Sequence, residues 1–209
     1  MSSRTIYDKF RAAGLSHEGA CGLMGNLKAE SSLVPNIAQR GTTSLSDEAY
    51  TAKFDNDPDS CLRDGVGYGL AQWTFWTRKQ ALWNFCSARG KSVGDEAAQT
   101  DFILHELRED YPKLFSFLCQ TQDLYTAADR VCREYERPAL NNVDRRYEFA
   151  QDFDEAFTAD ETGAWFPPDL SILVLQALLV GNGYNTEISG YKDADFFNKL
   201  REFVRDIGG

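Results

Sequence analysis

The sequence predicts a mostly helical domain over residues 1–158, followed by a small helical domain over residues 169–209. Apolar residues recur at spacings of three and four through most of the first part, which is the period of an amphipathic helix. The 209 residues are 43% hydrophobic and 26% charged, a composition typical of a folded domain. Between the two parts, residues 159–168 contain a glycine and a Pro-Pro pair, and we predict a linker there.

Local signals place the helices in order along the chain. Ile6 and Phe10 indicate a first helix that ends at Gly14, and Ser16 is the expected N-cap of a second helix over residues 17–29. Residues 31–69 are rich in aspartate and small polar residues, and we expect them to be irregular, with at most short strands. Further helices are predicted at about residues 75–89, 95–109, 111–119, 124–137 and 143–157.

Charge and composition exclude two classes of partner. The formal net charge is −10, so the chain offers no basic face for nucleic acid. Its apolar runs are far shorter than the ~20 residues of a membrane span, and we expect no membrane insertion. The first residues lack the apolar stretch of a secretory signal, and the five cysteines form no C-x-x-C pair. We therefore expect thiols in a chain made in a reducing cytosol, and the oligomeric state stays open.

Glu30, at the end of the second predicted helix, is the strongest candidate for chemistry. Its spacing from Leu23 and Leu27 brings its side chain onto the apolar face if the helix continues by one residue. Burial and the negative end of the helix dipole both disfavour the carboxylate anion. A carboxyl group that stays protonated near neutral pH is what a general acid needs to protonate a glycosidic oxygen. From position alone, a solvated residue in a helix-terminal turn is the alternative.

Two motifs give this glutamate a context. Residues 22–35 read Gly-Leu-Met-Gly-Asn-Leu-Lys-Ala-Glu-Ser-Ser-Leu-Val-Pro, and residues 67–74 read Gly-Tyr-Gly-Leu-Ala-Gln-Trp-Thr. Together with Glu-Arg-Pro-Ala at residues 136–139, they resemble the phage tail-type lysozyme family over roughly residues 5–155. The resemblance implies a lysozyme-like α+β fold and an enzyme that cleaves the glycan strand of peptidoglycan. It also implies that Glu30 occupies the catalytic position.

The glycine-rich motif supplies the candidate substrate-binding residues Tyr68, Gln72 and Trp73. Glycines at positions 67 and 69 let the backbone pass close to a sugar, because a side chain there would fill a cleft. A glutamine amide suits hydroxyl and N-acetyl groups, and an aromatic face suits the C–H face of a pyranose. The alternative for Trp73 is a place in the core.

A second carboxylate decides the reaction, and Asp64 is our candidate. A hydrolase that inverts configuration needs a base that holds water about 6.5–9.5 Å from the acid. Asp64 lies just before the glycine turn, although it could equally cap a turn or pair with Arg63. If no second carboxylate reaches the site, a lytic transglycosylase is favoured, in which the 6-hydroxyl of the sugar closes on the anomeric carbon.

No metal or other cofactor is expected. His17 and His105 are the only histidines, which leaves few ligands for a zinc amidase. A thiol amidase would need a cysteine such as Cys21 beside His105, and no cysteine stands in a nucleophile motif. We expect Glu136 and Arg137 to form a structural ion pair at a helix end.

Residues 169–209 resemble a small three-helix peptidoglycan-binding domain, with Leu-Gln-x-x-Leu at residues 175–179 and Gly-Tyr at residues 183–184. Ser189 replaces the aspartate of that pattern, so the alternative is a helical pair that packs on the main domain or on another copy. The resemblances together imply a phage endolysin that stays in the host bacterial cytoplasm until it is released to the cell wall. A lytic transglycosylase on the same fold is the first alternative, and a non-catalytic wall-binding or tail component is the second.

Overall fold

The computed structural model describes residues 3–138, 142–162, 178–180, 182–183 and 203. The prediction of a predominantly helical domain is confirmed. The helices are α1 (Ser3–Ala12), α2 (His17–Ser31), α3 (Asp47–Asn56), α4 (Asp59–Leu62), α5 (Trp76–Ser87), α6 (Glu96–Glu109), α7 (Pro112–Leu118), α8 (Leu124–Arg130), a π-helix (Val131–Glu136) and α9 (Val143–Thr162). In the described residues, extended pairing is limited to two isolated bridges, Ala38 with Tyr68 and Tyr68 with Trp73.

Helix α2 is buried along most of its length, and its glycines explain how neighbouring helices approach it. The Ser16 side chain accepts a hydrogen bond from the Gly19 N–H and caps the helix as predicted. A methyl group added at Gly22 would lie 2.6 Å from the Ala127 side chain of α8. One added at Gly25 would lie 2.4 Å from the Arg146 carbonyl oxygen of α9. Because glycine has no side chain, α8 and α9 can pack directly on the α2 backbone at these two positions.

The expectation that residues 31–69 are irregular is wrong for the second half of that segment, where α3 and α4 form. The Ser46 side chain accepts a hydrogen bond from the Ala49 N–H at the start of α3. Tyr50 and Phe54, four residues apart, then place both rings in the core. For α3, the serine cap and the buried pair of aromatic residues therefore stabilise a helix despite a composition that is typical of irregular segments.

The chain divides into two compact units, Met1–Thr158 and Ala159–Gly209. Helix α9 runs to Thr162, so the first part of the predicted 159–168 linker is helical. The predicted peptidoglycan-binding segment lies mostly outside the described residues. Within the described residues, no helix is both long and apolar enough to cross a bilayer. The five cysteines form no disulfide.

Candidate active site

Glu30 lies in the last turn of α2, where its carboxylate meets an arginine from α9. Its Oε1 accepts a hydrogen bond of 2.6 Å from Arg146 Nη2. The Glu30 side chain is 20% exposed and that of Arg146 is 7% exposed. The ion pair joins residues 116 positions apart, and the reasoning from the sequence did not include it. Glu30 thus has a cationic partner as well as access to solvent.

Arg146 is held in place by the preceding turn of α2. Its Nη1 donates to the side-chain oxygen of Asn26 at 3.2 Å. Asn26 is itself buried, and its amide nitrogen donates to the Gly22 and Ala128 carbonyls. The Nε of Arg146 is buried without a hydrogen-bond partner. Arg146 therefore points toward Glu30 because α2, α8 and α9 together fix its direction.

Glu136 is a second carboxyl group near the site, and its pKa responds to the negative charge of Glu30. It ends the π-helix, and its Oε1 is buried without a hydrogen-bond partner. Burial, followed by the negative charge of Glu30, raises the pKa of Glu136 well above its usual value, against the opposing charges of Arg78 and Arg146. Short π-helical stretches are frequent at functional sites. The sequence did not predict the raised pKa of Glu136, although the residue belongs to one of the motifs that carry the family resemblance.

The expected ion pair between Glu136 and Arg137 is wrong. Arg137 takes a left-handed conformation with φ of 51°, which turns the chain away from the helix. Its Nε donates to the Glu134 carbonyl oxygen at 2.8 Å. Glu136 is therefore left facing the interior instead of a surface arginine.

Tyr68 and Trp73, two of the three predicted sugar contacts, are fully buried. The Tyr68 hydroxyl lies 2.7 Å from the Thr51 hydroxyl, and its ring packs against Tyr50 and Phe54. The indole N–H of Trp73 donates to Glu106 Oε2 at 2.9 Å. With no exposed ring face, neither side chain can stack on a substrate, so both belong to the core that supports the glycine turn.

Gln72, the third predicted contact, remains at the surface of that turn. Its backbone has a φ of 45°, and its amide nitrogen donates to the Gly69 carbonyl oxygen at 3.0 Å. A methyl group added at Gly67 would lie 3.0–3.2 Å from side-chain oxygens of Gln72, Thr74 and Gln39. These three polar side chains therefore close over Gly67, which is buried, and the glycine is needed so that they can pack there.

The glycine turn is attached to the end of α2. The Ser31 hydroxyl, next to Glu30 in the chain, donates to the Leu70 carbonyl oxygen at 2.9 Å. Gln39 also borders a concave region of about 440 Å³ formed by residues 38–48. Ser31 thus links the end of α2 to the glycine turn, and Gln39 links the depression to Gly67.

Asp64 pairs with a buried lysine, a contact that the sequence did not predict. Its Oδ1 lies 2.9 Å from Nζ of the fully buried Lys79, and its Oδ2 accepts from the Tyr50 hydroxyl at 2.8 Å. Burial opposes ionisation, but the hydrogen bonds from Lys79, the Val66 N–H and Tyr50 lower the pKa of Asp64 below its usual value. Of the two structural alternatives for Asp64, pairing with Arg63 is wrong, since Arg63 lies over the Trp76 ring, whereas the turn contact forms, with the Val66 N–H donating to Asp64 Oδ1 at 2.9 Å. Asp64 compensates a buried cation, a role that argues against its use as a base.

A mainly helical domain with a glutamate at the end of its central helix, beside a glycine-rich turn, belongs to the lysozyme-like class. Residues 2–157 match the family described as phage tail lysozyme, and because this match covers most of the chain, the protein belongs to that family. The family and fold class expected from the sequence motifs are therefore confirmed, and the chain is in general terms a lysozyme-like phage enzyme. No curated protein matches it. The family match ends before residues 169–209 and leaves their wall-binding role a prediction.

Proposed function

We propose that the protein is a phage endolysin, a glycoside hydrolase that cleaves the glycan strand of peptidoglycan with Glu30 as general acid. The observation that carries this proposal is the position of Glu30 in the last turn of α2, where its side chain is reached by solvent and Arg146 holds its carboxylate at 2.6 Å. The pKa of Glu136, raised by burial and by the charge of Glu30, supports it. Pairs of carboxyl groups in unlike environments are a recurring arrangement for acid catalysis. Family membership supplies the substrate class, since lysozymes act on peptidoglycan.

The two carboxyl groups have different parts in this proposal. The negative charge of Glu30 adds to burial in raising the pKa of Glu136. Glu136 holds its proton in the interior and so limits the negative charge that surrounds Glu30. Glu30 has the solvent-accessible side chain, and we assign to it the transfer of a proton to the glycosidic oxygen. Arg146 fixes the direction of that carboxyl.

The polar cluster around Gly67 is the proposed sugar contact. The side chains of Gln39, Gln72 and Thr74 offer both donors and acceptors, which suits hydroxyl and N-acetyl groups. Gly67 itself is buried beneath them, so a sugar would meet these side chains and not the glycine backbone. Gln72 therefore stays in the proposed binding set, whereas Tyr68 and Trp73 leave it.

A lytic transglycosylase is the second candidate, and the state of the other two carboxyl groups favours it. Asp64 is committed to Lys79, and Glu136 is protonated over a range where an ordinary glutamate is ionised. Neither therefore offers a ready anion to activate water. In a transglycosylase the 6-hydroxyl of the sugar attacks the anomeric carbon, and no activated water is needed.

Mass spectrometry of purified peptidoglycan after digestion tests the proposal and separates its alternatives. Hydrolysis yields fragments with reducing ends, and transglycosylation yields anhydro ends. The absence of soluble fragments would identify a non-catalytic wall-binding or tail component and would overturn the proposal.

Substitution of Glu30 tests the assignment of the acid. Glu30→Gln keeps the shape but removes the transferable proton, and we expect cleavage to fall ~10²–10⁴-fold. Glu18→Gln, at the other end of α2, is the matched control and should retain wild-type activity. If Glu30→Gln stays within a few-fold of wild type, the general acid is a different group.

The endolysin role also includes a place of action. We propose that the protein accumulates in the host bacterial cytoplasm and reaches the wall only after the membrane is breached. Cells that produce it should therefore lyse promptly when a membrane-permeabilising agent is added and remain intact before that. Lysis without such an agent would contradict this part of the proposal.

A further inference from the structure

A second cluster of reactive side chains lies at the opposite end of α2 from Glu30. His17 and Cys21 are one helical turn apart on α2, and Asp154 approaches them from α9. One ligand atom from each of the three residues lies within 4.8 Å of the other two. His17 and Glu30 are separated by about 20 Å along the helix axis at 1.5 Å per residue. The cluster is therefore separate from the candidate active site.

Three side chains converge on a single nitrogen of His17. Its Nε2 lies 2.9 Å from Asp154 Oδ1, 3.0 Å from the Thr158 hydroxyl and 3.9 Å from Cys21 Sγ. The other ring nitrogen, Nδ1, lies 2.6 Å from the Tyr7 hydroxyl. A neutral imidazole nitrogen carries either one hydrogen or one lone pair. Nε2 can form one hydrogen bond, yet three side chains approach it, as ligands approach a metal ion.

This geometry does not fit a cysteine nucleophile activated by histidine. In such a relay the carboxylate holds one ring nitrogen while the thiol faces the other. Here Cys21 and Asp154 both face Nε2, and Cys21 is fully buried, out of reach of a substrate. The arrangement resembles ligands gathered around one point instead.

We propose that His17 Nε2, Cys21 Sγ and an Asp154 carboxylate oxygen bind one Zn²⁺ ion. Tetrahedral zinc with these ligand types places its ligand atoms about 3.3–3.6 Å apart. The two separations from Nε2, 2.9 Å and 3.9 Å, therefore need to change by about 0.4 Å, in opposite directions, and the separation between Cys21 Sγ and the Asp154 oxygen, which is within 4.8 Å, needs to shorten wherever it exceeds this range. The fourth position would hold water.

The donor set and the charge balance favour zinc over hard cations. Binding releases the Cys21 thiol proton to solvent, and one thiolate with one carboxylate then neutralises the divalent ion in a largely buried place. A mixed sulfur, nitrogen and oxygen set suits Zn²⁺, whereas Mg²⁺ and Ca²⁺ prefer oxygen alone.

The surroundings of the three ligands also suit a metal site. The Tyr7 hydroxyl can accept the Nδ1 hydrogen and so fix the tautomer that offers Nε2 to the metal. The side chains of His17 and Asp154 are 16% and 37% exposed, which leaves a path for the ion.

Titration of the full-length, metal-free protein with Zn²⁺ tests this inference. We expect one ion per chain and, at about 100 times Kd, a rise in melting temperature of about 5–10 °C. Mg²⁺ and Ca²⁺ should not produce it. Co²⁺ in place of Zn²⁺ should give a thiolate-to-metal charge-transfer band in the near ultraviolet, which reports the sulfur ligand without any substitution.

Two ligand variants and one matched control complete the test. Cys21→Ser and Asp154→Asn should each weaken zinc binding by more than the ~10–100-fold typical of losing an outer-shell partner. Cys86→Ser changes an equally buried cysteine on α5 and should bind zinc as the wild type does. The inference is overturned if the wild type binds no stoichiometric zinc, if the cobalt complex lacks the thiolate band, or if zinc raises the melting temperature of Cys21→Ser equally.

Discussion

Replacing Glu106 with alanine should destabilise the catalytic domain more than any surface substitution on the same helix. Its carboxylate accepts hydrogen bonds from the Trp73 indole at 2.9 Å, from Arg78 Nε and Nη2 at 2.7 and 2.8 Å, and from the Tyr135 hydroxyl at 2.7 Å. The Glu106 side chain is 3% exposed. Alanine removes the acceptor from all four donors at once.

The size of the effect follows from the groups left behind. Removing one partner of a buried ion pair costs about 3–5 kcal/mol, because the remaining charge is uncompensated. Arg78 is 22% exposed, so water can solvate part of its charge, and we take the lower end, about 3 kcal/mol. For a domain of 150–250 residues, each kcal/mol lowers the melting temperature by about 2–4 °C. The expected loss is therefore about 6–12 °C.

Thermal unfolding at neutral pH, followed by circular dichroism, measures this loss. Glu109→Ala, at the exposed end of α6, is the matched control and should lower the melting temperature by less than about 2 °C. A Glu106→Ala protein that melts with the control would refute the reasoning, since the four contacts would then contribute nothing to stability.

Three further substitutions test the site and its supports. Above about pH 4.3, Glu136→Gln should become progressively more stable than the wild type, because each unit by which folding raises the pKa of Glu136 lowers the wild-type free energy of unfolding by about 1.4 kcal/mol once the group is ionised. Urea unfolding at several pH values measures this difference, and a difference that does not change with pH would contradict it. Asp64→Asn should lower the free energy of unfolding by about 1–3 kcal/mol at neutral pH, and this loss should fade below about pH 3.9. The glycan cleavage rate per folded molecule should stay the same. Lost activity with unchanged stability would restore Asp64 as the base. Gly25→Ala should lower the melting temperature, because a methyl group 2.4 Å from the Arg146 carbonyl oxygen costs more than the ~1 kcal/mol that alanine gains in helix propensity; a higher melting temperature would contradict the close packing.

The helices could be predicted because their signals are local. Ser16 caps α2 as predicted, and Asp95 caps α6, whose start was predicted at about residue 95. Helix α3 also carried a local signal, a serine cap followed by Tyr50 and Phe54 at a spacing of four. It was missed because the surrounding composition was weighed more heavily than that pair.

The candidate site could be predicted only in part, because its members come from distant positions. Glu30 was found through its motif, but Arg146 reaches it across 116 residues and leaves no periodic signature. Tyr68 and Trp73 were misassigned because an aromatic residue beside a glycine turn can face either the surface or the core. Which way such a side chain faces depends on how the rest of the chain packs around it, and a single sequence does not reveal that packing.

Helices α2 and α9 connect the two sites discussed above. Arg146 contacts Glu30 near one end of the pair, and Asp154 contacts His17 near the other, so the two helices run antiparallel. Gly25 lies between these contacts and lets the helix backbones approach. A metal ion at His17 would restrain α9 at one end without contact with the carboxyl groups at the other. Chelation should accordingly lower the melting temperature while the pH dependence of glycan cleavage, measured well below that temperature, stays unchanged.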